Sequence, residues 1–124
     1  MLNDCDVVAN VAVKDIEVAK KFYTDTLELN QVSEEPFGVT YKSGSGRLFV
    51  YPTPTAGTAQ STCATWEVKD IKQVTESLAN KGIKFEHYEF PGAKHEGPVH
   101  IMGGTRAAWF KDPDGNLLGL SAAG

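Results

Sequence analysis

The chain has 124 residues, 41% hydrophobic and 23% charged, with a net charge of −4, a composition typical of one globular domain able to bury a core without staples. Acids and bases are interspersed, which excludes a basic footprint for nucleic acid or an anionic membrane surface, and no apolar run is long enough to span a bilayer. Cys5 and Cys63 have neither CxxC spacing nor disulfide-scaffold density, and the opening MLNDCDVVAN lacks a leader pattern, so reduced thiols and a cytoplasmic location are expected.

The first element, VANVAVKDI from Val8, alternates as a half-buried strand does and runs into Asp15, placed to N-cap a helix. Ile16, Ala19, Tyr23 and Leu27 then recur at helical spacing. A strand and a hairpin follow, the hairpin being YKSGSGRLFVY from Tyr41 with its loop at Ser43 to Gly46. The pattern then restarts. CATWEVKDI from Cys63 shares Ala and Val-Lys-Asp-Ile with the first copy at an offset of 55 residues (Val8 to Cys63). Asp70 is the second N-cap, Ile71, Val74 and Leu78 mark the second helix, and Gly82 is a natural C-cap.

The terminal hairpin, FKDPDGNLLGL from Phe110, matches YKSGSGRLFVY at an offset of 69 (Gly46 to Gly115), with a loop at Asp112 to Gly115. The second half therefore carries about 14 extra residues (69 − 55) between its helix and its hairpin. They fall in HYEFPGAKHEGPVHIMGG, residues 87–104, which holds His87, His95 and His100 and reads as a loop from its Pro and Gly content. Here His95 and His100 are expected on a lid.

Alternation places Val7, Ala9, Val11 and Val13, and in the second copy Ala64, Trp66 and Val68, under the helices. Val8, Asn10, Ala12, Cys63, Thr65 and Glu67 then face a cavity. If the last hairpin closes with Lys111 opposite Asn116, Phe110 comes beside Leu117, Ala108 beside Gly119 and Arg106 beside Ser121; the same rule pairs Tyr41 with Leu48 and Val39 with Val50. The expected pocket is apolar, with aromatic walls Tyr41 and Phe110 and polar handles Asn10, Thr65, Arg106 and Glu67, the composition of a small-molecule site. Each handle has a plainer role open to it: Arg106 at a solvated strand end, Asn10 bonded to nearby backbone, Cys63 as a small buried hydrophobe, Trp66 and Trp109 as core and rim. Gly119 is a glycine inside a strand, which marks close approach by something else.

Two tandem βαβββ modules, about 5–57 and 60–122, with a VKDI junction in each, FY in the first helix and a terminal DPDGN hairpin, resemble the vicinal oxygen chelate superfamily of glyoxalase I, extradiol dioxygenases, fosfomycin-resistance proteins and bleomycin-binding proteins. The resemblance runs from about Val7 to Leu120. It implies an α+β fold for a single domain, 1–124, in which each module curls into a half-barrel of mixed sheet around a cavity closed within one chain or between the partners of a homodimer.

In metal-dependent members a divalent ion is held by up to four side chains, one from each module's first strand and one from each last strand. Carried over, the first-strand positions are Val8 and Cys63, the last-strand position is Gly119, and its counterpart by the repeat is Val50. A lone thiol among hydrocarbon and glycine does not make a site, so no metal and no cofactor is expected; the alternative is a new metal site built from the insertion, using His95, His100, Glu96 or Cys63.

The resemblance and the residues together lead to the expectation of a binding protein for a small amphipathic or aromatic molecule, contacted by Asn10, Tyr41, Val50, Cys63, Thr65, Arg106, Phe110 and Gly119. Two alternatives stand beside it. One is a glyoxalase-type lyase or isomerase, or a dioxygenase-like enzyme, with a divergent site using the insertion's histidines, or with Glu67 and His95 or His100 as acid and base. The other is an interaction module with a filled barrel.

Overall fold

A computed structural model describes residues 1–123. Each half of the sequence builds one mixed sheet. In the first, β1 (Val8–Val13), β2 (Asn30–Glu35), β3 (Gly38–Ser43) and β4 (Gly46–Pro52) stand in the order β1-β4-β3-β2, with β1 and β4 parallel. In the second, β5 (Thr62–Glu67), β6 (Lys94–Glu96), β7 (Val99–Met102), β8 (Thr105–Lys111) and β9 (Leu117–Ala123) stand in the order β5-β9-β8-β7-β6, with β5 and β9 parallel. The sequence repeat is thus a repeat of topology, with β6 added at one edge. The fold is α+β, as the tandem modules require.

The expected caps form. Asp15 accepts from the Glu17 and Val18 amides at 2.9 and 3.3 Å to start α1 (Ile16–Lys21), and Asp70 accepts from Gln73 at 3.1 Å to start α2 (Ile71–Asn80). Gly82, at φ 94°, ends α2: its amide bonds Ala79 O and that of Ile83 bonds Leu78 O, a Schellman pairing that needs a left-handed residue. The first helix is shorter than its spacing predicts, because Phe22–Thr26 widens into a π turn that still delivers Tyr23 to the core.

One face of each sheet is covered by the helices. Val11, Val13, Val39, Tyr41, Leu48 and Val50 from the first sheet and Ala108, Phe110, Leu118 and Leu120 from the second share a single core. Alternation dictates this, since residues two apart on a strand point the same way and these are the uniformly apolar set. The junction between halves is polar and specific. Tyr23 donates to Asp112, Asn116 Nδ2 donates to Ala12 O at 2.7 Å, and the Lys14 amide donates to Asp114 Oδ1 at 3.1 Å. From the end of α2, Lys81 bonds the Asp25 and Thr26 carbonyls at 3.2 and 3.1 Å and pairs with Glu28 at 2.6 Å, closing off the first helix.

Three expectations are corrected. Residues 87–104 are not one loop, because Lys94–Glu96 and Val99–Met102 pair as a hairpin around Gly97 and Pro98. The terminal hairpin closes at Lys111 opposite Leu117, one residue later than expected, because Asp112 folds back to accept from the Asp114 and Asn116 amides, both at 2.9 Å, and Asn116 joins the turn. Gly119 therefore faces Trp109, and Ala108 faces Leu120. The first hairpin closes as expected, Tyr41 with Leu48 and Val39 with Val50. Third, Tyr41, Val50, Phe110 and Arg106 lie on the helix-covered side of the sheets. Val50 pairs with Val11, which is itself in the core, and Arg106 shares strand parity with Ala108 and Phe110.

Candidate functional site

The face turned away from the helices carries the chemistry. On β5, β9 and β8, Thr65, Gly119 and Trp109 stand in one row. A Cβ built on Gly119 would lie 3.1 Å from Thr65 Oγ1 and 3.4 Å from Trp109 Cδ1, and the glycine is buried. Thr62 Cγ2 is equally close at 3.4 Å, so two threonines and the indole of its cross-strand neighbour together restore packing that a strand glycine gives up.

Around Trp109 an aromatic group gathers. Ring centroids lie 5.4 Å away for Tyr88, 5.8 Å for Phe90 and 5.1 Å for His100. Edge-on and tilted arrangements of this kind match the ring quadrupoles. The Tyr88 backbone is held by two imidazoles, its amide donating to His100 Nε2 and its carbonyl accepting from His95 Nε2, both at 2.9 Å. His87 lies beside them, stacked on His95 at 4.2 Å and bonded to Glu89 at 2.7 Å. Burial, and then the neighbouring His95, push the His100 pKa below its ordinary value. On the first sheet the same face carries Asn10, Phe49 and Tyr51; Phe49 and Tyr51 stack at 5.8 Å, and Phe37 packs beyond them at 6.1 Å while 67% exposed.

The expected residues are distributed as follows. Thr65, Gly119, Asn10 and Cys63 are on or beside this face. Asn10 bonds the Val8 carbonyl at 3.0 Å, its plainer role. Partial burial, and then the Asp112 carboxylate, raise the Cys63 thiol pKa, which opposes thiolate chemistry. Tyr41 is fully buried and bonded to Thr24 at 3.1 Å, and Val50 is equally buried. Phe110 borders a cavity of about 290 Å³ on the helix side, with Trp66, Leu78 and Leu120. Arg106 pairs with Glu96 at 3.2 Å near α2. His95 and His100 are not on a lid: they stand opposite each other on β6 and β7, and the covering segment is Tyr88 to Phe90.

Glu67, Ser121, Ala107 and His100 are consecutive neighbours across four strands. Three strand spacings put Glu67 about 14 Å from His100, too far for a shared proton. Sequence reasoning missed His87, Tyr88, Phe90 and Trp109 as one group. The available signal was the spacing of His95 and His100 around Gly97-Pro98, a two-residue turn that makes them direct partners.

The positions where the resemblance places chelating side chains do not fit a divalent ion. Val8 and Gly119 offer no donor, Val50 points into the core, and Cys63 alone supplies a single thiol. The longer second hairpin also moves the counterpart of Gly119 to Phe49: Thr65 pairs with Gly119 as Asn10 pairs with Phe49. The chemistry there is equally apolar.

Two βαβββ-type sheets, each with its first and last strands parallel, define the class of fold. Residues 6–120 match the model of the Glyoxalase/Bleomycin resistance protein/Dioxygenase superfamily, and the chain belongs to that superfamily. Among solved structures it is similar to TnmS3, an antibiotic binding protein from Streptomyces sp. CB03234, at 23% identity, with 96% of this chain and 95% of that one covered and a TM-score of 0.75. A glyoxalase/bleomycin resistance protein from the same Streptomyces is 25% identical, with 93% and 97% covered and a TM-score of 0.69. Lactoylglutathione lyase from Agrobacterium tumefaciens is 17% identical, with 94% and 91% covered and a TM-score of 0.69. No curated protein matches the sequence. Among the described residues no helix is long and apolar enough to cross a membrane.

Proposed function

We propose that the chain binds a small aromatic or amphipathic molecule on the open face of its sheets, by stacking on the aromatic group around Trp109, without an ion at the superfamily's metal position. The carrying observation is what surrounds Gly119: Thr65, Thr62 and the indole of Trp109 close in on the position where a chelating carboxylate would stand in a metal-dependent relative. Thr65 supplies a hydroxyl at the edge, and Phe90, 40% exposed, offers a second ring surface. An antibiotic-binding protein and a bleomycin resistance protein among the similar folds support a binding role. Lewis-acid lyase chemistry at the family position needs donors that Val8, Cys63 and Gly119 do not provide.

Exposed Val8 and Phe37 extend the apolar surface of the same face, and a second copy covering it would complete a homodimeric, cytoplasmic binding protein. The test uses chelator-treated protein in a Trp66→Phe background, so that emission reports Trp109. Planar aromatic antibiotics, bleomycin included, are expected to quench it and raise the melting temperature, and Trp109→Ala to weaken binding at least about tenfold. Absence of binding across the panel, binding only with an added divalent ion, or binding indifferent to Trp109→Ala would each overturn the reading.

A further inference from the structure

The open face holds a second chemical group, away from the superfamily's metal position. His87, His95 and His100 each bring one ring nitrogen within 4.8 Å of the others, and they form the one such cluster of potential ligands among the described residues. His95 and His100 are direct partners on β6 and β7; His87 comes from the segment that crosses over them. Imidazole suits zinc and its neighbours in the first transition row, and three such ligands leave a fourth position open.

The proton positions follow from the hydrogen bonds. His87 Nε2 lies 2.7 Å from the Glu89 carboxylate, and His95 Nε2 lies 2.9 Å from the Tyr88 carbonyl. Both oxygens only accept, so both nitrogens carry hydrogen, which leaves Nδ1 as the atom of each ring that can offer a lone pair to an ion. An imidazole donating one N–H to a carboxylate or carbonyl while presenting its other nitrogen is the arrangement that orients metal-binding histidines. His100 is reversed: its Nε2 accepts from the Tyr88 amide, so its proton is on Nδ1, a fully buried atom with no hydrogen-bond partner. An unpaired buried N–H is costly, and the ring's one lone pair is engaged by a single backbone amide.

We infer that His87, His95 and His100 form a binding site for one Zn²⁺ ion, and that the ion and the Tyr88 amide compete for the lone pair of His100. At zinc–nitrogen distances of about 2.0–2.1 Å, tetrahedral ligand atoms stand about 3.3 Å apart. The cluster must therefore contract, and His87, whose side chain is 59% exposed, is the member free to move. Because Tyr88 packs on Trp109, ion uptake shifts the covering segment and is read in Trp109 emission. This goes beyond the binding role proposed above, which is tested with chelator present.

The test is titration of tag-free protein with zinc chloride alone, against a chromophoric chelator, with the ion content of the dialysed protein measured in parallel. One ion per chain is expected, with a change in Trp109 emission read in the Trp66→Phe background, and at least about tenfold weaker binding in His87→Ala and in His95→Ala. The exposed His87 variant keeps the test open if loss of a partly buried histidine disturbs folding, which circular dichroism checks. No stoichiometric uptake by folded wild-type protein, or the same affinity in the folded His87→Ala variant, would overturn the site. Uptake with Trp109 emission unchanged would overturn the competition with Tyr88.

Discussion

The Tyr23 hydroxyl donates to Asp112 Oδ2 across 2.8 Å, joining the first helical segment to the turn of the last hairpin. Asp112 accepts three further bonds, from the Asp114 and Asn116 amides at Oδ1 and from Asn116 Nδ2 at Oδ2. Asp112→Ala leaves the Tyr23 hydroxyl and the Asp114 and Asn116 amides without these acceptors, while Asn116 Nδ2 keeps Ala12 O, and should lower stability by about 3 kcal/mol or more, whereas Tyr23→Phe should cost about 1–2 kcal/mol. Urea unfolding measures both. A loss below about 1 kcal/mol for Asp112→Ala would show that the junction matters little.

Burial, followed by the Asp112 charge, raises the Tyr23 phenol far above its ordinary pKa of 10.0. The sign is that of a group protonated in the fold. Its contribution is complete below the unfolded pKa, and above about pH 10 the unfolded chain releases a proton that the folded chain retains. The advantage of wild type over Tyr23→Phe should therefore shrink by about 1.4 kcal/mol per pH unit above pH 10. Paired unfolding curves at pH 8 and pH 11 check this; a constant gap refutes it.

Val50 and Trp109 separate folding from binding. Val50→Ala removes methyls from a fully buried position and should cost about 1–3 kcal/mol while leaving affinity for an aromatic ligand unchanged. Trp109→Ala should show the larger effect on ligand affinity. Isothermal titration beside thermal unfolding distinguishes them, and weakened binding in folded Val50→Ala would return that residue to the site.

Cys5 and Cys63 are both exposed, but desolvation and then the Asp112 carboxylate raise the Cys63 thiol pKa. Iodoacetamide at pH 8 should label Cys5 well before Cys63, with Cys63 catching up as the pH rises toward 10. Mass spectrometry of timed digests gives the two rates. Faster labelling at Cys63 would mean an activated thiol.

The repeat of VKDI made the two sheets legible in the sequence, because a capping aspartate and apolar alternation act locally and leave their mark in a few residues. The site was less legible. Placing Tyr41 and Val50 on the open face failed because the parallel pairing of β1 with β4, which puts Val50 beside Val11, is a contact between segments about 40 residues apart. The one-residue error at Gly119 came from the side chain of Asp112, whose bonds to backbone amides lengthen the turn beyond what a strand-to-strand count allows. The histidine cluster could be read only in part: His95 and His100 follow from a two-residue turn, whereas His87 reaches them by a crossing segment with no periodic pattern.

The junction between the halves is unequal. The second hairpin's turn supplies Asp112, Asp114 and Asn116 to the first half, while the first hairpin answers with Ser43 alone, accepting from Trp66 Nε1 at 3.0 Å. Duplicated modules have thus become a lock and a key. If the chain were cut in the exposed stretch 57–61, the fragments would be complementary rather than interchangeable: each could rebuild the native core with the other, and neither with a second copy of itself.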